Sequence, residues 1–561
     1  MNLNLLIGGE AGQGLNTVSR ILGKTLFRSG FFVYSSKDYM SRIRGGHNFI
    51  RIRFGNEEIL GPAERIDILV ALNSETIKRH YNYLNDEGII ISGKKVDVYG
   101  KYLTIDARQL AKDVNLKALN MVYIGAVLRV LGLETKVCEG VIEDFFDNEN
   151  IIKANIKLLR RGYEESQQLF KVNISKPARD KLFINGNQAI GLGAVMAGVK
   201  FYSAYPMSPS TGIMSYIAAK QKELGIVVEQ AEDEIAAINM ALGASFGGIR
   251  AMTGTSGGGF SLMAETVGLA GITETPVVIA EVQRPGPATG LPTRTEQGDL
   301  LFAINVSQGE FPLMVISPRC QEDAFYQSFR AFNLADKYQI PVILLSDQYL
   351  ADSSRTVNDF NLDSLKIKRY LVSPAETDKN EGYRRYKLTD DGISPRAYPG
   401  QNDEELVVVD SDEHNEWGHI IEDAETRKAM VEKRMRKETK LKETDLLEPL
   451  YTGEEEIDYL IIGWGSTYGP IREALSLFRK DGIKVGFLSF SDVWPLPQKS
   501  LRRWASQDIE MVAVENNATA QFARLIRSET GISIDHKILK YDGRPFNARE
   551  IYRCFMKEVV K

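Results

Sequence analysis

Residues 250–283 read RAMTGTSGGGFSLMAETVGLAGITETPVVIAEVQ. A short strand-forming run leads into a glycine-rich loop, a helix of small residues follows, and the β-branched run VVIA closes the unit. Helices rich in alanine and glycine pack closely, and a strand apolar on both faces belongs inside a parallel sheet covered on both sides. The pattern repeats outward. Upstream lie LFINGNQAIGLGAVMAGVKFYSAYPMSPST (182–211) and VVEQAEDEIAAINMALGASFGG (227–248), and downstream FPLMVIS (311–317). This assigns residues 173–370 to an α/β domain. Residues 1–172 form another, with an expected strand at residues 3–7, a turn at GGEAGQG, a helix bearing Val18, Ile21, Leu22 and Leu26, and then FFVYSS, HNFIRIRFG, IDILVAL and GIIISG in a parallel pattern. The KVNISKPARD stretch breaks the periodicity near residue 172. Residues 371–450 are polar and irregular, and residues 451–561 return to strand–turn–helix order.

The fold class is therefore α/β with three α/β domains. A chain of 561 residues is too long for one core. Its net charge of −5 gives no basic field, so no nucleic-acid partner is expected. Cys138, Cys320 and Cys554 lie far apart with no CxxC, which excludes a self-contained iron–sulfur or structural zinc site, so no metal site is assigned to this chain. Cysteine usage and the lack of a long apolar stretch or a signal-peptide pattern point to a cytoplasmic protein with no membrane span. The charged run ETRKAMVEKRMRKETKLKETD is expected to be a solvated helix laced with i,i+4 pairs, the alternative being an arm to a partner chain.

Several motifs carry chemistry. Gly12 and Gly14 belong to a glycine turn between a strand and a helix, where backbone N–H groups can meet phosphate. Spacing differs from GxGxxG, and the second strand is expected to end at Ser35 and Ser36 without an acid, which disfavours a dinucleotide site. In AYPMSPST two prolines stiffen the turn at Ser208, with Ser210 and Thr211 placed to cap the next helix. Glu229, Glu232, Asp233 and Glu234 precede an apolar helix. Such acids complement the helix dipole, or one of them holds a protonated heterocycle. Thr255, Ser256 and Gly257 begin a backbone-rich loop after a strand, the usual place of ligand loops. Arg284 and Arg294 lie on the loop QRPGPATGLPTRTEQGDL, where a guanidinium can grip a carboxylate.

In that order, AYPMSPST, the acidic helix start, GTSGGGFSLM and QRPGPATGLPTRTEQGDL resemble the α subunit of 2-oxoacid:ferredoxin oxidoreductases, most like the 2-oxoglutarate type. GGEAGQG with SRIRGGHNFIRIR is similar to the family's γ domain, here fused at the N-terminus. GISPRAYPG, DEHNEWG, GWGSTYGPIREA, VENNATAQFARLIR and KYDGRPF match later landmarks. The resemblance implies a γ-type domain (1–172), a thiamine diphosphate pyrimidine-binding domain (173–370), a connecting segment (371–450) and a transketolase C-terminal-like domain (451–561).

It also implies half of a thiamine diphosphate enzyme, the β subunit holding the diphosphate, Mg2+ and a [4Fe–4S] cluster. Consistently, the chain lacks a GDG followed by the expected asparagine. By similarity Glu234 contacts the pyrimidine N1′ and promotes deprotonation of the thiazolium C2. Pro206, Thr255, Ser256 and Gly257 line the cofactor. Tyr205, Ser208 and an arginine bind the substrate, Arg294 being preferred over Arg284 for the C1 carboxylate. Ser208 replaces the family's usual threonine and keeps its hydroxyl, whereas Met207 replaces isoleucine and leaves the choice of 2-oxoacid open. Gly12 and Gly14 are assigned to coenzyme A or to assembly. The implied reaction turns a 2-oxoacid, foremost 2-oxoglutarate, and coenzyme A into acyl-CoA, CO2 and reduced ferredoxin, with an obligate β subunit in an (αβ)2 complex. A pyruvate, branched-chain or broad-range enzyme, a non-catalytic assembly subunit and a nucleotide-binding protein are the alternatives.

Overall fold

The computed structural model describes residues 2–41, 45–173, 180–372, 382–401 and 407–560. Residues 42–44 of the SRIRGGHN stretch and 174–179 of KVNISKPARD lie outside them. The chain divides into two compact units, Met1–Asn185 with Asp352–Asp359 and Asn547–Arg549, and Gly186–Ala351 with Phe360–Phe546 and Glu550–Lys561.

The first unit is built on an eight-stranded sheet in the order Lys101–Thr104, Leu84–Ser92, Ile66–Ala71, Asn2–Ala11, Gly45–Gly55, Phe32–Asp38, Ser354–Asn358, Lys181–Asn185. The expected parallel pattern holds for Asn2–Ala11, Ile66–Ala71, Leu84–Ser92 and Lys101–Thr104. It fails in the middle, where Gly45–Gly55 runs antiparallel to both neighbours. The cause is chain length. Few residues separate Phe32–Asp38 from Gly45–Gly55, and a parallel crossover needs a dozen or more. Phe32–Asp38 also runs past Ser36, so an acid does close that strand, contrary to expectation. It is nevertheless not the neighbour of Asn2–Ala11, because Gly45–Gly55 lies between them, so the dinucleotide arrangement is absent.

Two helices of this unit, Asn120–Leu131 and Glu149–Glu164, touch through glycine. A Cβ on Gly125 would lie 1.9 Å from the Leu159 carbonyl oxygen, and one on Gly162 2.0 Å from that of Val122. Backbone cannot yield as a side-chain tip can. We expect Gly125→Ala to push the helices apart at a cost of about 2–3 kcal/mol, seen as a lower thermal unfolding midpoint; an unchanged midpoint would refute the close approach.

In the second unit a seven-stranded sheet runs Asp492–Trp494, Met314–Ile316, Pro341–Asp347, Val277–Gln283, Ala251–Thr255, Phe201–Ala204, Val227–Gln230. All neighbours are parallel except Asp492–Trp494. Val277–Gln283 is buried along its whole length, as its apolar run requires. A five-stranded sheet follows, ordered Leu450–Thr452, Val485–Phe490, Tyr459–Trp464, Glu510–Glu515, His536–Leu539. One continuous apolar core joins Ile279, Val315 and Ile343 of the first sheet to Ile462, Leu488 and Phe522 around the second.

The charged run forms the helix Ala424–Thr444. Its outer side carries the expected i,i+4 pairs, Lys428–Glu432 and Glu438–Lys442. The helix is not simply solvated, however. Lys433 and Lys437 are fully buried on the Glu274 carboxylate, with Lys433 Nζ 2.6 Å from Oε1, and Arg434 pairs with Glu413 at 2.7 Å.

Candidate functional site

The C-terminal ends of the parallel strands gather the candidate residues of the second unit, the edge where open α/β sheets hold ligands. Glu234 is the first residue of the helix Glu234–Phe246. Asp233 caps that helix by accepting from Ala236 N at 2.7 Å, which leaves the Glu234 carboxylate uncommitted. Glu234 is 4% exposed, and its Oε1 is buried without a hydrogen-bond partner among the described residues. A native fold rarely leaves a buried polar atom unpaired unless a ligand completes it. Gly259 makes room beside this atom. A Cβ there would stand 2.5 Å from Glu234 Oε1 and 2.2 Å from Thr255 Oγ1, so any side chain would displace both.

Thr255 ends its strand, donates weakly to Ser256 O at 3.3 Å and lies 3.9 Å from the Met207 sulfur. Ser256 precedes the helix Gly257–Leu262 with its hydroxyl buried and unpartnered. Across the edge, Tyr205 is exposed and Pro206 half-buried at the end of Phe201–Ala204. Ser210 stands before the helix Thr211–Leu224 but does not cap it as expected. Its hydroxyl donates to Met207 O at 2.8 Å instead, tightening the proline turn.

Arg284 donates from its Nη1 to Ser208 O at 2.7 Å, while its buried Nε has no partner among the described residues. Arg294 packs instead beside Gly543, whose added Cβ would meet Arg294 Cβ at 3.1 Å. The structure thus brings Glu234, Thr255, Met207, Ser208 and Arg284 to one edge, while the Cβ and Cγ of Arg294 lie beside Gly543 of the KYDGRPF loop. The loop carrying both arginines is pinned by the C-terminal sheet. Gln297 Nε2 donates to Trp464 O at 2.9 Å, Asn516 N donates to Gln297 Oε1 at 3.0 Å, and Gln521 Oε1 accepts from Leu301 N at 3.0 Å.

Sequence reading passed over Gly259, Glu281 and Asp299. The signal for Glu281 was present, since it is the one acid inside the apolar run TPVVIAEVQ. Gly12 and Gly14 sit in the first unit at positive φ, Gly14 immediately before the helix Leu15–Arg28. They line a cavity of ≈ 950 Å³ with Asn73, Lys94, Arg108 and Lys117, and a second of ≈ 550 Å³ with Asp38. No helix among the described residues is long and apolar enough to cross a membrane.

Comparison with known proteins accords with this geometry. Residues 192–433 match the family described as pyruvate flavodoxin/ferredoxin oxidoreductase, thiamine diP-bdg. Residues 4–165 match pyruvate ferredoxin/flavodoxin oxidoreductase, and 457–551 match pyruvate:ferredoxin oxidoreductase core domain II. The 2-oxoacid:ferredoxin oxidoreductase subunit alpha of a Sulfolobus species is 33% identical over 100% of this chain and 97% of its own. The 2-oxoglutarate oxidoreductase subunit KorA of Mycobacterium tuberculosis is 30% identical over 98% and 91%. The structure of the 2-oxoglutarate:ferredoxin oxidoreductase from Magnetococcus marinus, with 2-oxoglutarate, coenzyme A and succinyl-CoA bound, superposes with a TM-score of 0.91, 30% identity and 99% coverage of each chain. The fold and these matches define an oxidoreductase with a thiamine diphosphate-binding domain. Within that class the chain belongs to the 2-oxoacid:ferredoxin oxidoreductase family, as an α subunit with the γ-type region fused ahead of it.

Proposed function

We propose that this chain, with a β subunit, oxidises 2-oxoglutarate with coenzyme A to succinyl-CoA and CO2, delivering two electrons one at a time to ferredoxin. The observation that carries the reading is the buried, unpartnered Glu234 carboxylate beside Gly259 at the sheet edge. Such an acid suits the N1′ of an aminopyrimidine, which it would hold by a hydrogen bond and with which it would exchange a proton. The chemistry that thiamine diphosphate supplies when bound is stabilisation of an acyl carbanion. Thr255, Ser256, Gly257 and Pro206 would line the pyrimidine, the Ser256 hydroxyl being free to donate.

For the substrate, Arg284 is the better carboxylate ligand than Arg294. It already touches the Ser208 turn through Nη1, at the strand edge where the other candidate residues gather, and a guanidinium there can pair with a carboxylate. Tyr205 and Ser208 are exposed beside it. In the first unit the Gly12–Gly14 turn and the cations Lys94, Arg108 and Lys117 suit the phosphates of coenzyme A. Mg2+ and the [4Fe–4S] cluster belong to the β subunit, the complex is (αβ)2, and its place is the cytoplasm.

Co-purification with the β subunit and assay of coenzyme A-dependent ferredoxin reduction tests the reading over 2-oxoglutarate, pyruvate and 2-oxoisovalerate. We expect preference for 2-oxoglutarate. Preference for pyruvate or 2-oxoisovalerate would replace the substrate, and inactivity with all three would defeat the enzyme reading of this site. Arg284→Ala should raise the apparent KM for the 2-oxoacid at least tenfold, and Arg294→Ala should raise it less. The reverse ranking would return the carboxylate to Arg294.

A further inference from the structure

Beneath Arg284 lie two acids that the reaction as read above does not use. Glu281 sits in the middle of the sheet on Val277–Gln283, in register with Thr255 of the neighbouring strand. It is wholly buried, no donor among the described residues reaches either of its oxygens, and the group that acts on it most strongly is the Asp299 carboxyl. Two carboxyl groups can hydrogen-bond to each other only if one keeps its proton. Burial, reinforced by Asp299 and Asp347, drives the Glu281 carboxyl far above the ordinary carboxylate range, so Glu281 is the donor.

Asp299, the acceptor, is fixed from three sides. Its backbone N–H donates to Gln283 Oε1 at 3.0 Å, its Oδ2 lies where a Cβ on Gly257 would come within 2.4 Å, and it feels the positive charge of Arg284. Burial raises the Asp299 carboxyl to about 6, while the Glu281 hydrogen bond and Arg284 hold it down. Glu296 is the other acid close by. Glu281 and Asp299 thus act on each other, Asp299 feels the charge of Arg284, and Arg284 donates to the Ser208 carbonyl.

We infer that Glu281 and Asp299 form a carboxyl pair sharing one proton, and that the pair positions Arg284 and the Gly257 turn for the 2-oxoacid. This rests on the reading of Arg284 as carboxylate ligand. The single negative charge of the pair serves Arg284 as a fixed counter-ion, so the guanidinium stays held beside the Ser208 turn. The retained proton prevents two anions from facing each other in the sheet.

The test uses the assembled complex and follows KM and kcat for the 2-oxoacid against pH. Asp299→Asn removes the counter-ion and should raise KM about tenfold while kcat stays within about threefold. It should also abolish the rise in KM expected of the parent enzyme as pH falls through about 6, where Asp299 would take up a proton. Asp299→Ser gives the same test should the amide variant not fold. Glu281→Leu removes the donor and should raise KM in the same way, and Glu281→Gln, which can still donate to Asp299, should restore most of that loss. An unchanged or lower KM for both Asp299 variants overturns the inference, as does a Glu281→Gln variant no better than Glu281→Leu. Arg284→Ala in parallel separates the two levels. If it raises KM while the Asp299 variants do not, the pair alone is refuted. If neither does, the reading of Arg284 falls with it.

Discussion

Glu234→Ala in the complex with the β subunit is expected to lower kcat by roughly 10²–10⁴-fold, the range that a positioned acid–base group contributes. The variant should fold and assemble, because the helix Glu234–Phe246 is capped by Asp233 and Glu234 itself bonds nothing through Oε1. Glu234→Gln keeps the size of the side chain and is expected to lose nearly as much, since an amide cannot take the proton of a ring nitrogen in turn. Near-parental turnover in either variant would defeat the assignment. A fall in kcat together with loss of β-subunit binding would instead make Glu234 a structural residue. Gly259→Ala gives an independent approach to the same atoms. Its methyl would collide with Glu234 Oε1 and Thr255 Oγ1, so it should mimic the Glu234 variants without altering a polar group.

The largest effect on stability is expected at Glu274→Ala. Burial alone would raise the Glu274 carboxyl, but the combined pull of Lys433, Lys437 and Arg385 carries it well below the ordinary value. Lys437, buried between them, is brought down to about 7. Arg385 also donates to the Glu274 carbonyl at 2.6 Å, so the loop before Val277–Gln283 is held by three cations. Removing the one carboxylate strands two ammonium groups in the interior, a loss of about 3–5 kcal/mol. Intact-protein melting should show it as a midpoint lowered by several degrees, with 425–443 exposed to protease. Combining Glu274→Leu with Lys433→Met and Lys437→Met should recover most of the loss, because an apolar set avoids the desolvation that the charges require. A Glu274→Ala protein as stable as the parent would show that the cluster is hydrated and weak.

Much of this was legible in the residues. The alternation of apolar runs with small-residue helices decided an α/β fold, since hydrophobic period and helix composition are local properties. The acid at the start of an apolar helix and the glycine loop TSGGG marked the edge of the sheet where Glu234 and Thr255 now meet. Strand direction in the first unit was less legible, because a run such as HNFIRIRFG looks the same in either direction. Its connection length decided the antiparallel pairing.

What the sequence by itself determined is the order of elements and the chemical kinds of residue at each strand end. What only the tertiary structure decided is which distant groups share a space. Lys433 meets Glu274 across 159 residues, and so a helix that reads as solvated has a buried, charged face. Arg284 and Arg294 are ten residues apart on one loop and chemically alike, yet the Arg284 guanidinium donates to Ser208 while the stem of Arg294 lies beside Gly543. Glu281 is enclosed wholly inside the fold, and burial with Asp299 nearby pushes its carboxyl above the ordinary range. Local pattern fixes periodicity and caps. The charge state and partner of a buried polar group depend on desolvation and on neighbours contributed by other elements, which no local pattern contains.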